Sequence, residues 1–382
     1  MAQKIAQDIN LKVPVAARSS HKREAAVPEP SLIGTVVAVQ ANFYRVQIPQ
    51  TDLGVMHLLC TRRARLKKLG QQVMVGDRVL VEEPDWLGER GAIAEVLPRH
   101  SELERPPIAN ADQVLLVFSL ADPVIDVYQL SRFLVAIEST GLVILPCFSK
   151  ADLVSAAEQQ QWCDRLAQWG YTACLISVQT GLGLTQLSTA LQGKITVLAG
   201  PSGVGKSSLI NTLVPDLALR VGEVSEHWRR GKHTTRHVEL FDLPRGGLLA
   251  DTPGFSQPTL YTLPEQLIYA FPEGRDRLKV GQCQFRDCLH HHEPGCIVRG
   301  DWERYPDYLG FLEESLAYQT QLRESPNPEA RVKLKSSQSG EDSYEPKLET
   351  KRYRRTARRT QQQALNHLYD EAQDSAYPSH GP

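Results

Sequence analysis

Gly200-Pro201-Ser202-Gly203-Val204-Gly205-Lys206-Ser207-Ser208 fits the pattern G-x-x-x-x-G-K-[ST], with Gly200, Gly205, Lys206 and Ser207 in its four diagnostic positions. The flanks agree with it. The apolar run Ile195-Thr196-Val197-Leu198-Ala199 predicts a buried strand before the loop, and Ser208-Leu209-Ile210-Asn211-Thr212-Leu213 predicts a helix after it. A di- or triphosphate carries more charge than a few side chains neutralise. Small residues therefore free backbone N–H groups to face it, helped by the positive end of the helix dipole. In such a loop Lys206 reaches the β- and γ-phosphates and the hydroxyl of Ser207 holds Mg²⁺.

Working outward from that loop, 382 residues exceed one compact core and predict two or three domains. A net charge of −1 announces no global field for nucleic acid, so any such partner must be met by local charge. The longest apolar runs, such as Val114 to Ala121, are strand-sized and exclude a membrane-spanning helix. Residues 1–30 lack an apolar signal core and read as a disordered tail, with an organelle-targeting peptide as the alternative. Cys60, Cys147, Cys163 and Cys174 read as buried thiols in a reducing compartment.

From residue 31 to about 100, period-two β-branched runs (Gly34 to Val39, Tyr44 to Ile48, Val79 to Val81, Ala92 to Val96) predict a small OB-like β-barrel. Its basic stretch, with Arg62, Arg63, Arg65, Lys67 and Lys68, suits RNA phosphates or is an ordinary solvated loop. Residues 101–262 alternate strand and helix: Asp112 to Ala121, Tyr128 to Ser139, Leu142 to Phe148, Ala156 to Gln168, Cys174 to Val178, Leu184 to Leu191. That alternation predicts a mostly parallel sheet covered on both faces, with ligands at the carboxyl ends of its strands.

Those strand ends carry Ser149-Lys150-Ala151-Asp152, which matches the GTPase base-recognition element N-K-x-D with serine for asparagine, and Ser177-Val178, a second base contact. A carboxylate at Asp152 accepts from guanine N1–H and the N2 amine, donors that adenine lacks. Beyond the phosphate loop, Arg229 to His237 reads as switch I, with Thr235 (Thr234 as alternative) on Mg²⁺. Asp251-Thr252-Pro253-Gly254 reads as switch II, with Asp251 binding Mg²⁺ through water and the Gly254 N–H sensing the γ-phosphate. Base elements precede the phosphate loop, so the GTPase domain is expected to be circularly permuted. Phe255 follows Gly254 where Ras-like enzymes place a water-orienting glutamine, which leaves His233 as the nearest titratable group for that task, with phosphate or RNA contact as its other reading.

Residues 263–322 are expected to form a helical domain around Cys283, Cys288, His290 and Cys296. Four soft or borderline ligands within fourteen residues suit one structural Zn²⁺, and His291 or His292 could replace His290. Residues 323–382 read as a linker followed by a basic extension, in which Arg354, Arg355, Arg358 and Arg359 form an RNA-phosphate clamp or a solvated tail.

An OB-like domain, a permuted GTPase and C-x4-C-x-H-x5-C in that order resemble the ribosome small-subunit-dependent GTPase A family over residues 31–320. The resemblance implies a cytoplasmic, monomeric GTP hydrolase acting in late maturation of the 30S subunit. It implies 16S rRNA as partner, turnover stimulated by the subunit, His233 aiding hydrolysis, and zinc on Cys283, Cys288, His290 and Cys296. A rival reading is a nucleotide-gated RNA-binding scaffold with negligible turnover, and a third is an ATP-using P-loop enzyme. Ser149 departs from the family pattern: asparagine there bonds the base and ties its loop to the phosphate loop.

Overall fold

The computed structural model describes residues 32–50, 54–68, 70–104, 106–215, 238–251, 258–324, 332–336 and 342–346. His233, Thr235, Gly254, Arg354, Arg355, Arg358 and Arg359 lie outside them, as do the side chains of Lys67, Lys68 and Asp251. The chain divides into two compact units, residues 1–316 and 317–382.

In the first unit, β1 (Leu32–Gln40), β2 (Phe43–Gln50), β3 (Gly54–Arg62), β4 (Arg78–Asp85) and β5 (Arg90–Val96) run in the order β1-β2-β3-β5-β4, and β4 pairs back onto β1. The five strands therefore close on themselves. Val36, Val46, Leu58, Cys60, Val79, Val81 and Ile93 fill the interior. The basic stretch after β3 is a short helix rather than an open loop, α1 (Ala64–Lys68), pinned by buried Leu66. A register shift between Val36 and Ala38 turns the last part of β1 outward. Successive strand residues face opposite sides, so Val36 packs in the barrel while its neighbour Val37 packs in the core of the next domain.

After two three-residue strands, β6 (Glu102–Glu104) and β7 (Pro107–Ala109), the α/β layer begins with β8 (Gln113–Ser119). It continues through α2 (Val127–Glu138), β9 (Val143–Ser149), α3 (Ala156–Gln168), β10 (Cys174–Leu175), α4 (Leu184–Leu191), β11 (Ile195–Ala199) and α5 (Lys206–Leu213), and ends with β12 (Glu239–Asp242) and β13 (Leu248–Asp251). Strand order is β10-β9-β8-β11-β13-β12, parallel except for β12, which bridges to β1 at Ala38 and Glu239. Every residue of β8 is buried because helices cover both faces: Val114, Leu116 and Phe118 enter one core cluster, Leu115 and Val117 the other. Local signals set the helix ends. Asp126 caps α2 by accepting from the Gln129 N–H, and Ser155 with Glu158 forms a capping box on α3.

Past β13 come α6 (Pro264–Leu267), a 3₁₀ turn over Ile268–Ala270, α7 (Pro272–Val280) and α8 (Tyr305–Glu324), with proline in the first turn of α6 and α7. Leu267, Phe271, Val298, Trp302, Tyr308, Phe311 and Leu312 build a core against Val135 of α2. Arg304 is fully buried there, paired through Nε and Nη2 with Glu273 (2.8 and 2.6 Å), and its guanidinium lies 4.9 Å from the rings of Trp169 and Phe271. Arg132–Glu314, Arg165–Glu303 and Arg275–Glu138 clamp the same contact.

In the second unit, the stretch read as a linker contains an antiparallel hairpin, β14 (Val332–Ser336) with β15 (Asp342–Pro346). Among the described residues no helix is long and apolar enough to cross a membrane.

Candidate nucleotide site and metal centre

The phosphate loop leaves β11 between β8 and β13, at the carboxyl end of the parallel strands. Gly200 has φ +138°, and a Cβ there would meet the Val117 carbonyl oxygen at 2.1 Å, so only glycine fits. Gly205, at φ +94°, turns the chain into α5. Between them Pro201 and Val204 are buried, which anchors the loop from below, while Ser202, Gly203, Ser207 and Ser208 are exposed above. Lys206 folds across its own loop, its Nζ donating to the Gly200 and Pro201 carbonyls at 2.8 and 2.5 Å. That places an ammonium at the loop's mouth beside the dipole of α5, a cradle for anionic oxygens.

The base-recognition loop is bonded directly to this cradle. Ser149 Oγ donates to the Val204 carbonyl at 2.6 Å and lies 3.2 Å from the Phe118 carbonyl. Lys150, in the left-handed region at φ +56°, sends Nζ to the carbonyls of Gly203 (3.2 Å) and Asp122. The Ala151 N–H donates to Ile176 O at 3.1 Å, which ties this loop to the exit of β10. Asp152 stands exposed at the rim, where a base can reach it. Ser177 lies just past β10 rather than in it, fully buried, its Oγ accepting from the Thr180 N–H and its backbone closing a turn with Gly181 and Leu182. Ser149, Lys150, Asp152, Ser177 and residues 200–208 thus gather at one sheet edge. Asp251 ends β13, the strand beside β11, so its backbone arrives at the same end of the sheet.

In the third domain the ligand atoms of Cys283, Cys288, His290 and Cys296 all lie within 4.8 Å of one another and could hold a metal ion. His290 Nδ1 is 3.5 Å from Cys283 Sγ, 3.5 Å from Cys288 Sγ and 3.4 Å from Cys296 Sγ. His291 and His292 instead stack on each other, rings 3.4 Å apart. Burial pushes the His290 imidazole down from its usual pKa, which favours the neutral form a ligand needs. Three groups outside the ligand set shape this knuckle. Tyr305 Oη donates to the His290 carbonyl (2.9 Å) and Tyr308 Oη to that of Leu289 (2.6 Å). Glu293 accepts from the N–H groups of Leu289, His291 and His292. Partial burial pushes the Glu293 carboxyl up, but those backbone donors outweigh it and hold the pKa at about 2. Glu293 directly follows His292 in the chain.

On the barrel, Arg62 donates to the Gln71 carbonyl and lies over the Tyr44 ring, and Arg65 is exposed. Arg63 is engaged by Glu83 (2.7 Å) and Glu82 (3.4 Å), so two carboxylates already balance its charge. Cys60 and Cys147 are buried as expected for inert thiols, whereas Cys163 and Cys174 are only half-buried.

A glycine-rich phosphate loop at the head of a parallel sheet, met in the chain after two base-recognition loops, defines a circularly permuted GTPase. The RsgA GTPase family model matches residues 96–261. The small ribosomal subunit biogenesis GTPase RsgA of Trichormus variabilis is 60% identical, over 89% of this chain and 97% of its own. The protein of that name from Synechocystis is 53% identical, over 87% and 94%. The crystal structure of YjeQ from Thermotoga maritima is 32% identical with a TM-score of 0.63, covering 75% of this chain and 99% of that one. YloQ, described as a circularly permuted GTPase, gives the same identity and TM-score over 79% and 98%. The chain belongs to the RsgA GTPase family.

Proposed function

We propose that this protein binds the small ribosomal subunit and hydrolyses GTP there as a late step of subunit assembly, with turnover stimulated by the subunit. The observation that carries the nucleotide half is the bonding of Ser149 and Lys150 to the phosphate loop, which fastens the loop that carries Asp152 to the phosphate cradle. The ribosomal half is supported by the names of the relatives, small ribosomal subunit biogenesis GTPases at up to 60% identity. Lys206 and the backbone N–H groups of the loop from Gly200 to Ser208, all but Pro201 having one, hold phosphates, Ser177 flanks the base, and Gly254 answers to the γ-phosphate. Ser207 and Thr235 would hold Mg²⁺ directly and Asp251 through water, and that ion would neutralise charge on the phosphate oxygens. His233 orients the attacking water.

Zinc is the proposed metal of the third domain. Zn–S bonds of about 2.3 Å and a Zn–N bond of about 2.0–2.1 Å at tetrahedral angles separate ligand atoms by roughly 3.5–3.8 Å. Four of the six separations among these ligand atoms, at 3.4–3.9 Å, fit that, as does the thiolate and imidazole set. Arg62, Arg65, Lys67 and Lys68 on the barrel, with Arg354, Arg355, Arg358 and Arg359 in the extension, are the proposed contacts to 16S rRNA phosphates. Arg63 contributes less because Glu82 and Glu83 already hold it. A monomer working in the cytoplasm completes the reading. Single-turnover GTP hydrolysis with and without 30S particles tests it: acceleration by 30S is expected, and an unchanged rate would favour a nucleotide-gated scaffold.

A further inference from the structure

Of the guanine edge, N1–H and the N2 amine are donors, and Asp152 can accept from both. O6 and N7 are acceptors, read only where the protein offers a donor. Position 149 is where an asparagine amide, with two N–H bonds to give, could both tie the loop and reach the base. Ser149 has a single hydroxyl hydrogen. Here that hydrogen is committed inward: Oγ is 2.6 Å from the Val204 carbonyl, its next acceptor is the Phe118 carbonyl at 3.2 Å, and the residue is 5% exposed. The Ser149 carbonyl is also taken, by the Leu120 N–H at 3.0 Å, and the Ala151 N–H is spent on Ile176. Lys150 Nζ is turned to the Asp122 and Gly203 carbonyls on the phosphate-loop side.

We propose that Ser149 is a positioning residue which ties the base-recognition loop to the phosphate loop and gives no donor to the base, so that N7 of a bound guanine goes unread. Asp152 then carries the discrimination, and a nucleotide with carbon in place of N7 is accepted as readily as guanine. The tether still matters. Without it the Val204 carbonyl loses its donor, and the bond from Lys150 to the Gly203 carbonyl is left to hold the two loops together.

This inference rests on the guanine-nucleotide reading above, and the test separates the two. Equilibrium titrations of the full chain would compare GDP, 7-deaza-GDP and ADP. For the unmodified protein, GDP and 7-deaza-GDP are expected to bind within about twofold of each other, because no hydrogen bond is lost. Ser149→Ala should weaken both by a similar factor, about five- to tenfold, since it removes the tether and no base contact. Ser149→Asn adds an amide donor and should open a preference of several-fold for GDP over its 7-deaza analogue. Tenfold weaker binding of 7-deaza-GDP by the unmodified protein would overturn the inference while leaving the guanine site intact. So would a Ser149→Ala chain that binds both guanine nucleotides unchanged. Failure to bind GDP at all, or equal binding of ADP, would instead sink the guanine-nucleotide reading itself. The comparison on the unmodified chain decides N7 even where a variant folds poorly.

Discussion

The nucleotide loops and the cysteine knuckle are two ways of building a site, and they fail differently. The first is assembled by topology. Ser149 and Val204 are 55 residues apart in the chain and meet because β9 and β11 flank β8 in a sheet whose central strand is wholly buried. The contacts that shape its loops are backbone carbonyls accepting from Ser149, Lys150 and Lys206. The second is local, fourteen residues whose order comes from side chains converging on one point, backed by Glu293 and two tyrosines. Removing a ligand from the first should cost affinity. Removing the ion from the second should cost the fold around it.

The largest effect is expected from the metal. Structural zinc contributes about 10–16 kcal/mol of apparent binding energy in small domains. Chelation or Cys288→Ser should abolish one-to-one zinc content and melt the region from Cys283 to Cys296, read by metal analysis and thermal unfolding. A knuckle that keeps its melting behaviour without metal would erase the contrast. Next comes Arg304. Replacing it by Met leaves Glu273 buried without its partner and should cost about 3–5 kcal/mol. Adding Glu273→Leu should recover much of that loss, and a double variant no better than the single one would contradict the pairing. Lys206→Ala should then weaken GDP binding by roughly 10- to 150-fold, the 1.5–3 kcal/mol of a charged hydrogen bond, with little change in thermal stability. A large drop in melting temperature would show that the phosphate loop, too, depends on its side chains.

The smallest effect concerns Glu293→Gln, worth on the order of 1 kcal/mol through weakened bonds to the backbone N–H groups. The Glu293 carboxyl is held at about 2, below its unfolded value of about 4.3, so its contribution is full above the unfolded value and fades as pH falls through about 2. Wild type and variant should differ at pH 7 in denaturant titrations, and the difference should shrink on acidification. A difference that grows on acidification would reverse the sign.

How much was legible in the sequence follows from the same contrast. The phosphate loop, the base elements and the cysteine spacing are short patterns whose chemistry fixes residue type, and α4 reads from Leu184 to Leu191 because its apolar spacing is undisturbed. Strand β3 escaped notice for a physical reason. Its outward Val55 and Leu59 are exposed and apolar, which fills the polar half of the period-two pattern set by Leu58 and Cys60. The four-residue β12 is too short to carry a period. Arg304 is buried because Glu273, 31 residues earlier, comes to meet it. No local signal reports such a pairing. Nor does the stretch around Arg63 declare that two glutamates on β4 will hold its charge.

The central claim is that Asp152 and the phosphate loop grip the two ends of one guanine nucleotide, and base exchange tests it most directly. Binding of GTP, XTP and ATP would be titrated against the unmodified chain and Asp152→Asn. Xanthine carries a carbonyl where guanine has its N2 amine, so a carboxylate repels it and an amide can donate to it. The account predicts strong preference for GTP in the unmodified chain, passing to XTP in the variant with ATP weak in both. Equal binding of all three nucleotides, unaltered by the substitution, would contradict it.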